Sequence, residues 1–395
     1  MYLVKFAKDS FQLAMLICIC LLQTFSFAQG IWTQKAIFPG GARQELIGLS
    51  INGKGYIGTG WQASSPIYKD WWEYDPVLDS WTQKASIPTT DSGYRGGSGF
   101  VIGNDGYICV ADSAIIALWK YDVTLNSWMQ KASFPQNTRI WCSAFSIGNK
   151  GYLGLGNDGS GMYSDFYEYD SQSDSWSQIA FFGGGNREDA FAFTLQNKGY
   201  VGGGSDGSVS KNDFWVYDPL MDAWTQKANI VPSSPWEADA GFAISTINKG
   251  FMKRGFSFSM YDPNTNSWSV KATYPGDIAA ATASFSIGSK GYIACGATFS
   301  ANYSDKLWEY TPDTASGIKE IENLTASIYP NPSSGNFSIT INEKEFNVIV
   351  YDVTGKVVYE SQNEKQINLT DKPKGIYFLK ITSDNKIYSQ KIIIQ

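Results

Sequence analysis

A tyrosine and a tryptophan seven positions apart recur through most of this 395-residue chain. The pairs are Tyr74/Trp81, Tyr121/Trp128, Tyr169/Trp176, Tyr217/Trp224 and Tyr261/Trp268. Between them stand turn formers such as the Asp-Pro of "YDPVLDSW". A fixed spacing across a turn predicts a tight hairpin with the two aromatics paired across its strands. A second landmark keeps step with the first: a glycine before an aromatic, at Gly55, Gly106, Gly151, Gly199, Gly250 and Gly291. Repeats of roughly 40 to 50 residues indicate small sheets stacked in series. Before each glycine runs a segment of apolar residues mixed with Ser, Ala and Gly, as in "CSAFSI" and "AFAFTL". Small side chains suit an innermost strand, where several sheets crowd one axis.

Each unit therefore reads as four antiparallel strands, and the end units show how the series closes. Tyr310 opens a sixth hairpin but no Trp follows it, whereas Trp32 stands near the start with no Tyr before it. The N-terminal strand is expected to complete the last sheet, which leaves no exposed sheet edge. The predicted fold is all-β, a six-bladed propeller closed by the N-terminal strand. These residues resemble the kelch repeat over about Gly30 to Pro312. The match is uneven: the double glycine is clean only around Gly202–Gly204, and the fifth copy has a shortened loop.

The chain begins with Lys5 and Lys8, an apolar run from Leu13 to Leu22, and small residues at Ser26 and Ala28. This is the pattern of a secretory signal peptide cut before Gln29, and the run is short for a membrane anchor. No transmembrane segment is expected after cleavage. Past Pro312 the pattern changes. A polar stretch leads to short alternating strands carrying "YPNPSSG" at Tyr329, "YDVTGK" at Tyr351, "KGIY" at Lys374 and a terminal "KIII" at Lys391. These blocks are similar to the type A C-terminal sorting domain of the type IX secretion system of Bacteroidota. The resemblance implies a partner, the type IX machinery, passage through the periplasm, and a location at the outer-membrane surface or outside the cell. The expected boundaries are a signal peptide over 1–28, the propeller over 29–312, a linker over 313–323 and a small C-terminal β-sandwich over 324–395.

Function is sought where the copies differ. A net charge of −6 and a pI near 4.9 disfavour nucleic acid as a partner. The absence of histidine removes histidine-based catalysis and metal sites. After signal cleavage Cys109, Cys142 and Cys295 remain, in apolar segments and without metal-ligand spacing; buried free thiols are the default, one disulfide the alternative. Neither metal nor cofactor is implied, and no residue is assigned a catalytic role. Arg43, Arg95, Arg139 and Arg187 precede the landmark glycine by 12, 11, 12 and 12 positions, so they are placed equivalently near the axial mouth. Two readings stand. The arginines bind an anionic ligand through forked hydrogen bonds, with Glu188, Trp141, Trp236 and Trp61 adding polar and stacking surface, or they brace loop carbonyls. Three function classes follow: a surface binding module for a glycan or protein, a structural surface protein, and a carbohydrate-active enzyme. For the last, the six-bladed kelch architecture resembles sialic-acid mutarotases, with Arg187, Glu188 and Asp189 as acid/base groups.

The two terminal patterns generate a processing prediction. Mass spectrometry of the exported protein is expected to find a product that begins at Gln29 and lacks the C-terminal domain. Recovery of surface protein ending at Gln395 would remove the sorting assignment.

Overall fold

In the computed structural model, which describes residues 29–62, 68–88, 96–112, 115–231, 240–276, 280–297, 302–313, 322–323, 326–383 and 386–395, Tyr74 and Trp81 are opposed across a hairpin. The expected signal peptide and most of the expected linker lie outside the described residues. The chain divides into two units, the second beginning at Thr314. In the first, β1 (Ile31–Gln34) stands apart from β2 (Ile47–Ile51), β3 (Lys54–Gly58), β4 (Trp71–Asp75) and β5 (Ser80–Lys84). The last four form one antiparallel sheet in chain order, from innermost to outermost strand. Four further sheets repeat that order. The sixth takes its inner three strands from Ala283–Ile287, Lys290–Ala294 and Leu307–Thr311, and β1 adds as the outermost. Trp32 pairs with Tyr310 in the register that Trp81 takes with Tyr74. Chain closure is thus a sixth copy of the same hairpin, made from two distant segments.

The hairpin builds itself from its own residues. Asp75 accepts hydrogen bonds from the amides of Val77 and Leu78, at 2.9 and 3.1 Å, which forms the turn. Asp79 ends it in a left-handed conformation at φ 48°, and Asn126, Asp174, Asp222 and Asn266 do the same in the other copies. Asp and Asn tolerate that region better than other side chains. The paired rings sit 4.8 to 5.2 Å apart in all six copies, at nearly the same tilt.

The same hairpin grips the neighbouring blade. The Tyr74 hydroxyl donates to Asp79 Oδ1 at 2.7 Å, and that oxygen also accepts the amide of Ala36, 2.9 Å away in the chain leaving the sixth blade. Trp81 Nε1 in turn donates to the Ala36 carbonyl at 3.0 Å. Ala85, Ala132, Ala180 and Ala228 are held identically by the second to fifth blades. In the sixth, Trp32 Nε1 bonds the Ala272 carbonyl, and the main-chain carbonyl of Gln29 replaces the Asp or Asn oxygen. It accepts the Ala272 amide at 3.0 Å and the Tyr310 hydroxyl at 2.9 Å. Gly30 is required there, because a Cβ would lie 2.3 Å from the Tyr310 hydroxyl.

Nearer the axis the landmark glycines explain themselves. A Cβ on Gly151 would lie 2.1 Å from the ring of Phe100, an innermost-strand residue of the preceding blade. Gly55, Gly199, Gly250 and Gly291 likewise receive Phe285, Phe145, Phe193 and Phe242. Five blades insert a phenylalanine over the backbone of the next, and the second blade receives the aliphatic Leu49 and Ile51 of the first instead.

In the second unit a five-stranded and a three-stranded sheet enclose one core that includes Phe337, Ile339, Val348, Val350, Leu379 and Ile392. The "YPNPSSG" block fastens the last strand, Lys386–Ile394: Asn331 donates to the Lys391 carbonyl at 2.8 Å and accepts the Ile393 amide at 3.0 Å. Glu322–Asn323, placed in the linker by sequence, pair in parallel with this strand.

Asp174 offers a direct test of the clasp. Asp174→Ala leaves the Tyr169 hydroxyl and the Ala132 amide without their acceptor and is expected to cost about 2 kcal/mol in denaturant unfolding. Asp174→Asn is expected to be near neutral, since Asn126 and Asn266 do the same task. Equal losses would reject the clasp.

Candidate functional site

The arginine loops lie at the end of the blades where each innermost strand begins. Arg43 is fully buried. Its Nη1 and Nη2 bind the two oxygens of Asp70 at 2.6 and 2.7 Å, and they also donate to the carbonyls of Thr59 (3.0 Å) and Gly40 (2.6 Å). Its guanidinium stacks 3.8 Å from the ring centre of Tyr68. Arg139 grips Asp165 and the Leu155 carbonyl, and Arg187 grips Asp213 and the carbonyls of Gly203 and Gly184. Thr59, Leu155 and Gly203 all have positive φ, at 64°, 61° and 67°. The arginines thus fix carbonyls that a left-handed residue turns inward. Arg43, Arg139 and Arg187 do not form the open cationic ring of the anion-binding reading, because their forks already hold the chain's own carboxylates.

The other expected residues separate. Arg95 and Trp236 lie outside the described residues. The strand register puts Ala117 where the other arginine blades carry Asp70, Asp165 and Asp213. Glu188 pairs its backbone with Ser205 and accepts from Asn157 Nδ2 at 2.7 Å, which ties the third and fourth blades. Trp61 pairs with Gln44 at the rim. Trp141 lines an axial cavity of about 300 Å³ together with Glu45, Cys142, Asp189 and Thr282.

Sequence reading missed Glu45, although a signal existed. Counting back ten positions from each landmark glycine reaches Glu45, Gly96, Trp141, Asp189, Ala240 and Ala281. Five of these, all but Ala240, have φ between 55° and 60°. Their backbones link blade to blade: Glu45 N to Ala281 O at 3.0 Å, Trp141 N to Gly96 O at 2.9 Å, and Asp189 N to Trp141 O at 3.1 Å. The mouth is a hydrogen-bonded collar whose residues are Glu, Gly, Trp and Asp in four blades and Ala in the fifth and sixth. Burial pushes the Cys142 thiol up to about 12, which disfavours its thiolate form, and all three described thiols are free. No group of metal-ligating side chains occurs among the described residues.

Comparison with known proteins fits this geometry. Residues 191–229, the fourth blade, match the kelch motif, and residues 327–395 match the secretion system C-terminal sorting domain. The chain carries a kelch propeller and a type IX sorting domain. The solved structure of YjhT superposes with a TM-score of 0.60 at 12% identity, covering 71% of this chain and 98% of that one. No curated protein matches the sequence. The sorting domain marks the propeller for type IX export to the cell surface or beyond, and no helix among the described residues is long and apolar enough to cross a membrane.

Burial opposes ionisation of Asp213, but hydrogen bonds from Arg187 and Trp215 outweigh it and hold the carboxyl below its ordinary value of 3.8. A depressed folded-state value means the pair's stabilisation is complete above that ordinary value and is lost as pH falls through the folded one. Acid titration of the melting temperature is expected to show this loss only below about pH 4. Arg187→Met is expected to cost about 2–3 kcal/mol at neutral pH, because it leaves the half-buried Asp213 carboxylate and the Gly203 and Gly184 carbonyls without their donor. A neutral-pH loss under 1 kcal/mol would contradict the bracing role.

Proposed function

We propose that the chain is an exported binding protein whose kelch propeller holds the end of a glycan at its axial mouth. One observation carries this reading. The clasp and glycine positions repeat around the ring, whereas the collar carries Glu45, Gly96, Trp141, Asp189 and Ala281 at equivalent places around a cavity of about 300 Å³. Repetition suits a scaffold and divergence suits a site. The volume is at the small end for ligand pockets, which suits a sugar ring better than a folded protein surface. Trp141 supplies a stacking face and the carboxylates accept hydrogen bonds from hydroxyls.

A second reading, interconversion of sugar anomers, draws on Glu45 and Asp189 in the same cavity. Ring opening needs one group to protonate the ring oxygen and another to take the anomeric hydroxyl proton, and two carboxylates suffice in kind. Accelerated anomer exchange by NMR, abolished by Asp189→Asn, would favour it.

For the binding reading, the mature full-length protein applied to a glycan array is expected to retain a defined set of glycans. Trp141→Ala is expected to weaken that binding about tenfold, the loss of one aromatic contact. An array with no retained glycan, or binding indifferent to Trp141→Ala, would remove the mouth as the site.

A further inference from the structure

Single exposed apolar side chains are ordinary on a protein surface, whereas a connected group of them marks a place of contact. On the propeller they stand on separate hairpin tips, as Leu125 and Leu220 do. The second unit differs. In its strand Gly375–Ser383, Tyr377, Leu379 and Ile381 belong to the core, while Ile376 and Phe378 are 43% and 49% exposed. Side chains alternate along a strand, so residues in register share a face of the sheet. Phe378 is in register with Tyr351 of Asn347–Tyr351, and Tyr351 with Val357 of Val357–Gln362. Ile376 is likewise opposite Ile393 of the last strand. The outer face of the five-stranded sheet therefore carries a connected apolar group.

Two lysines flank it. Lys391 is in register with Phe378, and Lys380 lies two positions along the strand from Phe378. Neither has a carboxylate partner among the described residues, whereas Lys54, Lys150, Lys198 and Lys290 of the propeller each hold one. With Tyr351 and Phe378 these two lysines line a shallow depression of about 350 Å³. An apolar floor beside uncommitted cations is complementary to apolar side chains beside carboxylates.

We propose that this outer sheet face is the surface by which the sorting domain docks onto a protein of the export machinery, one that presents apolar side chains beside carboxylates. The face is assembled from the blocks that carry the sorting-domain pattern: Tyr351 from "YDVTGK", Ile376 from "KGIY", and Lys391 and Ile393 from "KIII". All lie within residues 327–395, the segment that marks the chain for export. The core accounts for the inward residues of these blocks, such as Tyr377 and Ile392, and does not account for their outward neighbours. Glu360, exposed and opposite Ile349, adds a carboxylate to the same face, which suits a protein of mixed charge better than a uniformly anionic lipid surface.

The test is export of the full-length chain from a cell that has type IX secretion. The readout is the ratio of protein outside the cell, or open to protease on its surface, to protein in the periplasm. Phe378→Thr removes the apolar side chain and keeps a strand-forming residue. It is expected to lower that ratio about tenfold, the loss of one interface anchor, and to leave the melting temperature of the purified chain unchanged. Leu125→Thr, which removes an equally exposed apolar tip from the propeller, is expected to leave export unchanged. Lys380→Glu with Lys391→Glu is expected to lower export, and Lys380→Arg with Lys391→Arg to preserve it. Undiminished export of a stable Phe378→Thr chain would overturn the docking surface, as would an equal loss in Leu125→Thr. If Phe378→Thr lowers the melting temperature, the lysine variants decide, and undiminished export after charge reversal overturns the proposal. Sedimentation of the purified chain, alone and with vesicles of anionic phospholipid, identifies the other occupants. A dimer or a vesicle complex that Phe378→Thr abolishes while export continues would give the face to a second copy or to lipid instead.

Discussion

One oxygen atom per blade holds the ring together. Asp79 Oδ1 and its equivalents accept a tyrosine hydroxyl from their own hairpin and an alanine amide from the blade before, while the paired tryptophan returns a hydrogen bond to that alanine's carbonyl. Taken singly these are ordinary hydrogen bonds, each contributing about 1 kcal/mol. Their arrangement matters more than their sum. The tyrosine and tryptophan rings are placed by the strand register, the acceptor by a left-handed residue that ends the turn, and the donor by the outer strand of the neighbour. The tyrosine and its acceptor meet within one hairpin, but the alanine amide and carbonyl arrive only when the neighbouring blade docks, so half of each clasp couples one blade to the next. Repeat proteins of this kind draw stability from the contact between neighbours as much as from any unit alone.

That coupling gives the N-terminus a part beyond its length. Five blades supply the acceptor from a side chain, and the sixth supplies it from the main chain of Gln29. The substitution works because Gly30, at φ 79°, lets the backbone pass directly over Tyr310. A ring closed this way gives the sixth sheet the same four strands as the others, so that Leu307–Thr311 is not left as its edge.

Much of this was legible in the sequence because it is local. Tyr74 and Trp81 are joined by a short turn, so their spacing cannot drift without breaking the pair, and the missing Trp after Tyr310 and the missing Tyr before Trp32 announced closure. The landmark glycines were equally visible, although their reason, a phenylalanine from the preceding blade, required the structure. The mouth was harder. Arg43 and Asp70 are far apart in the chain and meet only because strands β3 and β4 carry the aspartate back to the loop. An arginine in a loop near an axis looks the same in sequence whether it faces a ligand or a buried carboxylate.

The arginine clamps and the collar are parts of one device. The collar holds non-glycine residues at positive φ, Glu45, Trp141, Asp189 and Ala281 among them, and each is strained relative to ordinary backbone. Such strain persists only where the surroundings fix it. In the first, third and fourth blades the fixing groups are on hand: a buried arginine two residues earlier, locked to an aspartate and to the carbonyl of a second left-handed or glycine residue. In the sixth, Ala279 replaces the arginine in sequence and Lys306 stands where the aspartate would be, so clamp and carboxylate disappear together. The second blade breaks that pairing, with Arg95 in the sequence and Ala117 at the carboxylate's place. The collar backbone that lines the axial cavity is therefore set when the protein folds, and in the proposed binding role a ligand would meet a surface whose ordering cost had already been met.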